Sequence, residues 1–83
     1  MLKIYGSKLC PDCVACLQDL DNAHICYQYC DFSEKLEYLK EFLKLRDSLD
    51  IFEPVRTEGR IGIPCLVDGK NVFLDWAEYV SQV

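Results

Sequence analysis

Cys10-Pro11-Asp12-Cys13 stands at the meeting point of two stretches with different periodicity, and this junction constrains the fold more than any other feature. Leu2-Lys3-Ile4-Tyr5 alternates with period two and reads as a short strand, closed by a turn at Gly6-Ser7. A helix follows. Pro11 suits its first position, where the missing N–H would lack a partner anyway. Val14, Leu17 and Leu20 supply one apolar stripe, and Asp21-Asn22 ends the helix. Ile25 to Cys30 reads as a second strand. A strand-helix-strand start implies a right-handed crossover and a parallel pair.

Downstream, Asp31-Phe32-Ser33-Glu34 has the capping-box pattern for a second helix running to about residue 49. Leu36, Leu39, Phe42 or Leu43, and Leu45 or Leu49 carry its apolar face, with Lys35, Glu37, Lys40, Glu41 and Lys44 turned to solvent. Residues 50–62, with Pro54, Gly59 and Gly62, are expected to form an exposed excursion with room for one short helical turn. Cys65-Leu66-Val67 is a strand, Asp68-Gly69 a hairpin turn, and Asn71 to Phe73 the partner strand. Asp75 is a suitable N-cap for a last helix from Trp76 to about Ser81. The expected fold class is α/β: a four-stranded mixed sheet with three main helices, in the order β-α-β-α-β-β-α.

Composition narrows the function classes. A chain of 83 residues, 51% hydrophobic and 28% charged, is expected to form one globular domain over residues 1–83. It has no apolar run near the roughly 18 residues that cross a bilayer, and no signal-peptide apolar region before Gly6. The expected location is the cytoplasm, without membrane association. Fourteen acids against nine bases give a net charge of −5, which argues against nucleic-acid or anionic-membrane binding. In a reducing compartment, six cysteines point to thiol chemistry or metal before structural disulfides.

Cys10 falls at the helix N-terminus, where free N–H groups and the dipole favour a thiolate; Lys8 helps and Asp12 opposes. Cys13 lies one turn on, within reach for a disulfide. Cys10 is therefore the candidate attacking sulfur and Cys13 the resolving one. A metal-ligand pair is the competing reading. The second signal is Ile63-Pro64 at the start of a strand, where proline costs a ladder hydrogen bond; a cis peptide that turns backbone groups toward a neighbouring site is one reason for it.

Taken together, Ile4-Tyr5, Lys8, Cys10-Pro11-Asp12-Cys13, Ile63-Pro64 and Asp68-Gly69-Lys70 resemble the thioredoxin superfamily, and its glutaredoxin branch most closely. The resemblance implies a thioredoxin-like fold and a thiol–disulfide oxidoreductase serving cell redox homeostasis. It would reduce protein disulfides or glutathione mixed disulfides through Cys10, with Cys13 resolving. It implies that Lys8, Pro11, Ile63, Pro64 and Asp75 bind glutathione or peptide, with the Ile63 backbone pairing as an added strand. No bound cofactor is implied, only glutathione as reducing co-substrate or a thioredoxin-reductase-type donor, and the protein is expected to be monomeric. Three positions depart from the family: Phe73-Leu74 stands where glutaredoxins carry Gly-Gly, and Asp12 where an aromatic residue is common.

The alternative is a zinc or iron–sulfur module using Cys10, Cys13 and either Cys16 or Cys65; a third class is a redox-inert interaction domain. Cys16 reads better as a small core residue, and Cys26 and Cys30 as core or half-buried thiols. Cys65 points either toward the active sulfurs or into the core behind them. His24, Arg46, Arg56 and Arg60 read as surface charge, and Tyr5 and Trp76 as core or rim aromatics.

Overall fold

A computed structural model describes residues 1–82. Strand β1 (Leu2–Gly6) leads to helix α1 (Pro11–Asn22), strand β2 (Tyr27–Asp31) and helix α2 (Leu36–Ser48). A 3-10 turn (Asp50–Phe52) and a short helix α3 (Glu53–Glu58) precede the hairpin β3 (Cys65–Asp68) and β4 (Asn71–Phe73), and α4 (Trp76–Val80) closes the order. The sheet runs β2-β1-β3-β4. β1 pairs parallel to β2, Leu2 opposite Tyr27 through Gly6 opposite Asp31. It pairs antiparallel to β3, Tyr5 opposite Cys65, and β3 pairs antiparallel to β4. This is the mixed sheet of a thioredoxin-type βαβαββα fold.

Period-two alternation sorts the strand residues onto two faces. Leu2, Ile4 and Leu66 pack with Cys16 and Leu20 of α1 and Tyr79 of α4. Tyr5, Cys30 and Cys65 face the other way, onto Phe42 of α2 and onto Phe52 and Val55. The indole N–H of Trp76 donates to Asp19 at 2.8 Å and ties α4 to α1. Asp75 caps α4 as expected, its carboxylate accepting from the Ala77 N–H at 3.0 Å. Between β3 and β4, Asp68 pairs with Asn71, so Gly69 and Lys70 form the two-residue loop. Gly69, at φ 62°, supplies the positive angle required at its first position.

Four expectations change. The buried face of α1 is Cys13, Cys16 and Leu20, whereas Val14 is exposed: the thiols act as small apolar residues and rotate the stripe. Asp31 does not cap α2; the N-cap is Lys35, without a side-chain bond. Asp31 instead accepts from the Ser33 N–H at 2.8 Å and the Ser33 hydroxyl at 2.7 Å, holding a turn ahead of the helix. Leu36 and Leu43 are exposed, leaving Phe42 as the buried residue of α2. The segment 50–62 is not simply an exposed excursion, because Phe52 and Val55 are buried in the core. An edge-on contact between Phe42 and Phe52, 5.8 Å between centroids, docks this segment on α2.

Candidate active site

The backbone brings Cys10 to the α1 N-terminus as the N-cap, with φ −94° and ψ 117°. Its N–H donates to the Ser7 carbonyl at 3.0 Å, so the Gly6-Ser7 turn sets the approach to the helix. Cys10 is half-buried and Cys13, one turn further, is fully buried. The two thiols are neighbours, one helical turn apart, and Cys10 acts on Cys13. Burial pushes the Cys13 thiol up to about 12; a hydrogen bond with the Ser7 backbone opposes this, and neighbouring Cys10 and Cys16 add to it. One sulfur is therefore reachable, and the other is held as a thiol behind it.

A cleft of about 360 Å³ opens beside Cys10, walled by Asp12 and the run Gly59 to Ile63. An adjoining cleft, also about 360 Å³, carries on past Ile63 and the cis Ile63–Pro64 bond to Leu74 and Asp75. Arg60, Gly62 and Ile63 belong to both, so the two form one groove leading away from Cys10. Larger hollows exist, one of about 470 Å³ beside Lys3 and Tyr5, but no cysteine lines it.

The 31% identity of this chain to an uncharacterized protein of Haemophilus influenzae extends over 64 residues, covering 77% of this chain and 74% of that protein. The chain belongs to that protein's family. No family model matches the sequence, and no solved structure matches it.

Of the residues singled out from the sequence, Cys10, Ile63, Pro64 and Asp75 meet along the groove, with Cys13 behind. Pro11 is exposed at the first helical position. Lys8 is exposed and lines neither cleft; its charge acts on Asp31, the last residue of β2. Burial pushes the Asp31 carboxyl up, but the two Ser33 hydrogen bonds and Lys8 outweigh this and hold it below the ordinary carboxylate range.

The other thiols divide by position. Cys16, Cys30 and Cys65 are fully buried, and burial pushes Cys16 and Cys65 up to about 12. Cys65 belongs to the core on the α2 side. Cys26 is exposed, a correction to its reading as a core or half-buried thiol: β2 begins only at Tyr27, so Cys26 lies in the connection before the sheet. Among the described residues no three His, Cys, Asp or Glu side chains stand together as a metal-binding group. The three-cysteine sets weighed for metal are therefore not assembled within one chain.

Arg46, expected as surface charge, instead builds the groove wall. Its guanidinium donates to the Ile61 carbonyl at 2.8 Å and the Arg60 carbonyl at 2.7 Å, tying the wall to α2. Arg56 in turn donates to the Leu49 carbonyl at 3.0 Å and to the Arg46 carbonyl. No local pattern announces such bonds, since their acceptors are backbone atoms brought near by folding.

Proposed function

We propose that this protein is a glutaredoxin-like thiol–disulfide oxidoreductase. The observation that carries the reading is the asymmetric pair on a thioredoxin-type fold: Cys10 reachable at a helix N-terminus, and Cys13 buried one turn behind it. The Cys10 thiolate attacks a substrate disulfide, one substrate sulfur leaves with the electron pair and takes up a proton, and a mixed disulfide remains on Cys10. Cys13 then attacks Cys10 and releases the second substrate thiol, leaving Cys10–Cys13 oxidised by two electrons. Two glutathione molecules, or a thioredoxin-reductase-type donor, return it to the dithiol.

In this reading the substrate lies along the groove with its backbone beside Ile63 and Pro64, while Asp75 meets a charged end of it. Lys8 and Pro11 flank the entrance to the sulfur. Asp75 also caps α4, so its two roles need separating. Asp75→Asn keeps a capping oxygen and removes the charge; a several-fold rise in KM for a glutathione mixed disulfide, with an unchanged melting temperature, is the expected result.

The deciding experiment equilibrates the protein with graded reduced and oxidised glutathione, then maps the modified cysteines by mass. A glutathionyl group on Cys10, or a Cys10–Cys13 disulfide closing at a defined poise, is expected. Cys10→Ser should abolish disulfide reduction. Equal activity in wild type and Cys10→Ser would sink the enzyme reading.

A further inference from the structure

One hydroxyl beside Cys13 is left without a partner. Tyr29, in β2, packs on the α1 side of the sheet, and its Oη is shut off from solvent with no hydrogen-bond partner among the described residues. Three other tyrosine hydroxyls donate to carboxylates: Tyr5 to Glu41 at 2.8 Å, Tyr27 to Asp21 at 2.8 Å, and Tyr79 to Asp68 at 3.3 Å. A Cβ built on Gly6 would lie 2.7 Å from Cys13 Sγ and 3.4 Å from Tyr29 Oη. The sulfur and the orphan hydroxyl thus flank the same bare glycine at the end of β1. A buried hydroxyl without a partner costs more than an ordinary hydrogen bond returns. An acceptor that arises during the reaction gives it a purpose.

We propose that the Tyr29 hydroxyl is the hydrogen-bond donor to the Cys13 sulfur while that sulfur carries charge, during closure of the Cys10–Cys13 disulfide. The inference rests on the dithiol reading above. In this step Cys13 loses its proton and its sulfur attacks the Cys10 sulfur of the mixed disulfide. The bond from Cys10 to the substrate sulfur breaks, and the leaving thiolate takes the electron pair and ends with a proton. Tyr29 undergoes no net proton change; it stabilises the anion only while the anion exists. Burial disfavours the Cys13 anion, and Cys10, held in the mixed disulfide, carries no charge at this step. Asp31, whose charge acts on Tyr29, adds negative potential, which Lys8 partly offsets. Apart from the Ser7 backbone, a neutral donor such as Tyr29 is what the pocket supplies to the anion.

The test uses Cys26→Ser protein, to silence the exposed thiol, mixed with 5,5′-dithiobis(2-nitrobenzoate) in a stopped-flow instrument. Attack by Cys10 releases one coloured thiolate in a phase that depends on reagent concentration. Attack by Cys13 on the resulting mixed disulfide releases the second in a phase that does not. In Tyr29→Phe the second phase should be about threefold slower at each pH from about 7 to 9, a roughly tenfold smaller thiolate fraction being partly offset by a more nucleophilic anion, with the first phase unchanged. Tyrosine fluorinated on the ring at position 29, a stronger donor, should move the second phase the opposite way, and decides the matter if Tyr29→Phe fails to fold. Superimposable second-phase profiles, or slowing by both replacements alike, would overturn the role of Tyr29 and leave the dithiol reading standing. Absence of a second phase in the parent protein would overturn both.

Discussion

A methyl group added at position 6 has nowhere to go. The Cβ of Gly6→Ala would sit 2.7 Å from the Cys13 sulfur, so either α1 shifts or the sulfur leaves its place. The expected cost is about 1–3 kcal/mol of stability, read as a lower urea midpoint, together with a slower intramolecular disulfide closure. Unchanged closure with an unchanged midpoint would show the contact to be slack. At this scale the cysteine pair was legible in the sequence, because Pro11 and the Gly6-Ser7 turn place it by local backbone geometry. Gly6 as a contact point and Tyr29 as an orphan were not. Each depends on where β1, α1 and β2 meet, and nothing within a few residues of either records it.

Helices and strands were legible wherever periodicity and turn chemistry agree, as in β1 and the hairpin held by Gly69. The segment 50–62 was the obscure part. Its Pro and Gly content suggests irregularity, while its order comes from Phe52 and Val55 entering the core and from arginine bonds to backbone carbonyls. Phe52→Ala should therefore cost about 3–5 kcal/mol, as for a fully buried aromatic residue, measured by denaturant titration. Arg46→Met keeps much of the stem packing but removes the donors to Arg60 and Ile61. Faster amide exchange across residues 59–63, with little change in α1, is the expected outcome. Uniform exchange throughout the chain would mean that the arginine supports the whole fold and not the groove wall.

Across the molecule, buried thiols couple stability to pH. Cys13, Cys16 and Cys65 are each pushed from an ordinary 9.0 to about 12, chiefly by burial. Below both values each thiol is protonated, folded or unfolded, and stability is indifferent to pH on their account. As pH rises above 9.0 the unfolded chain gives up these protons first, and stability falls until the folded thiols titrate near 12. Each contributes a loss of up to about 1.4 kcal/mol per pH unit in that window. Urea midpoints in excess reductant should stay level from pH 7 to 8 and drop by pH 10; a level profile to pH 10 would contradict the burial of these groups. Among the described residues no helix is long and apolar enough to cross a membrane.

The strand order carries a consequence for how the chain reaches this state. β1 lies inside the sheet, and its antiparallel neighbour β3 comes from the far end of the sequence, Lys3 opposite Val67. During synthesis the βαβ unit emerges first and waits, with one flank of β1 unzipped, until the hairpin is made. Closing so long a loop is slow relative to forming local structure. Throughout that wait Cys65 lacks its place beside Tyr5, and the core that shelters Cys30 is incomplete. Until the sheet closes, both thiols stand open to wrong pairings that the finished core forbids.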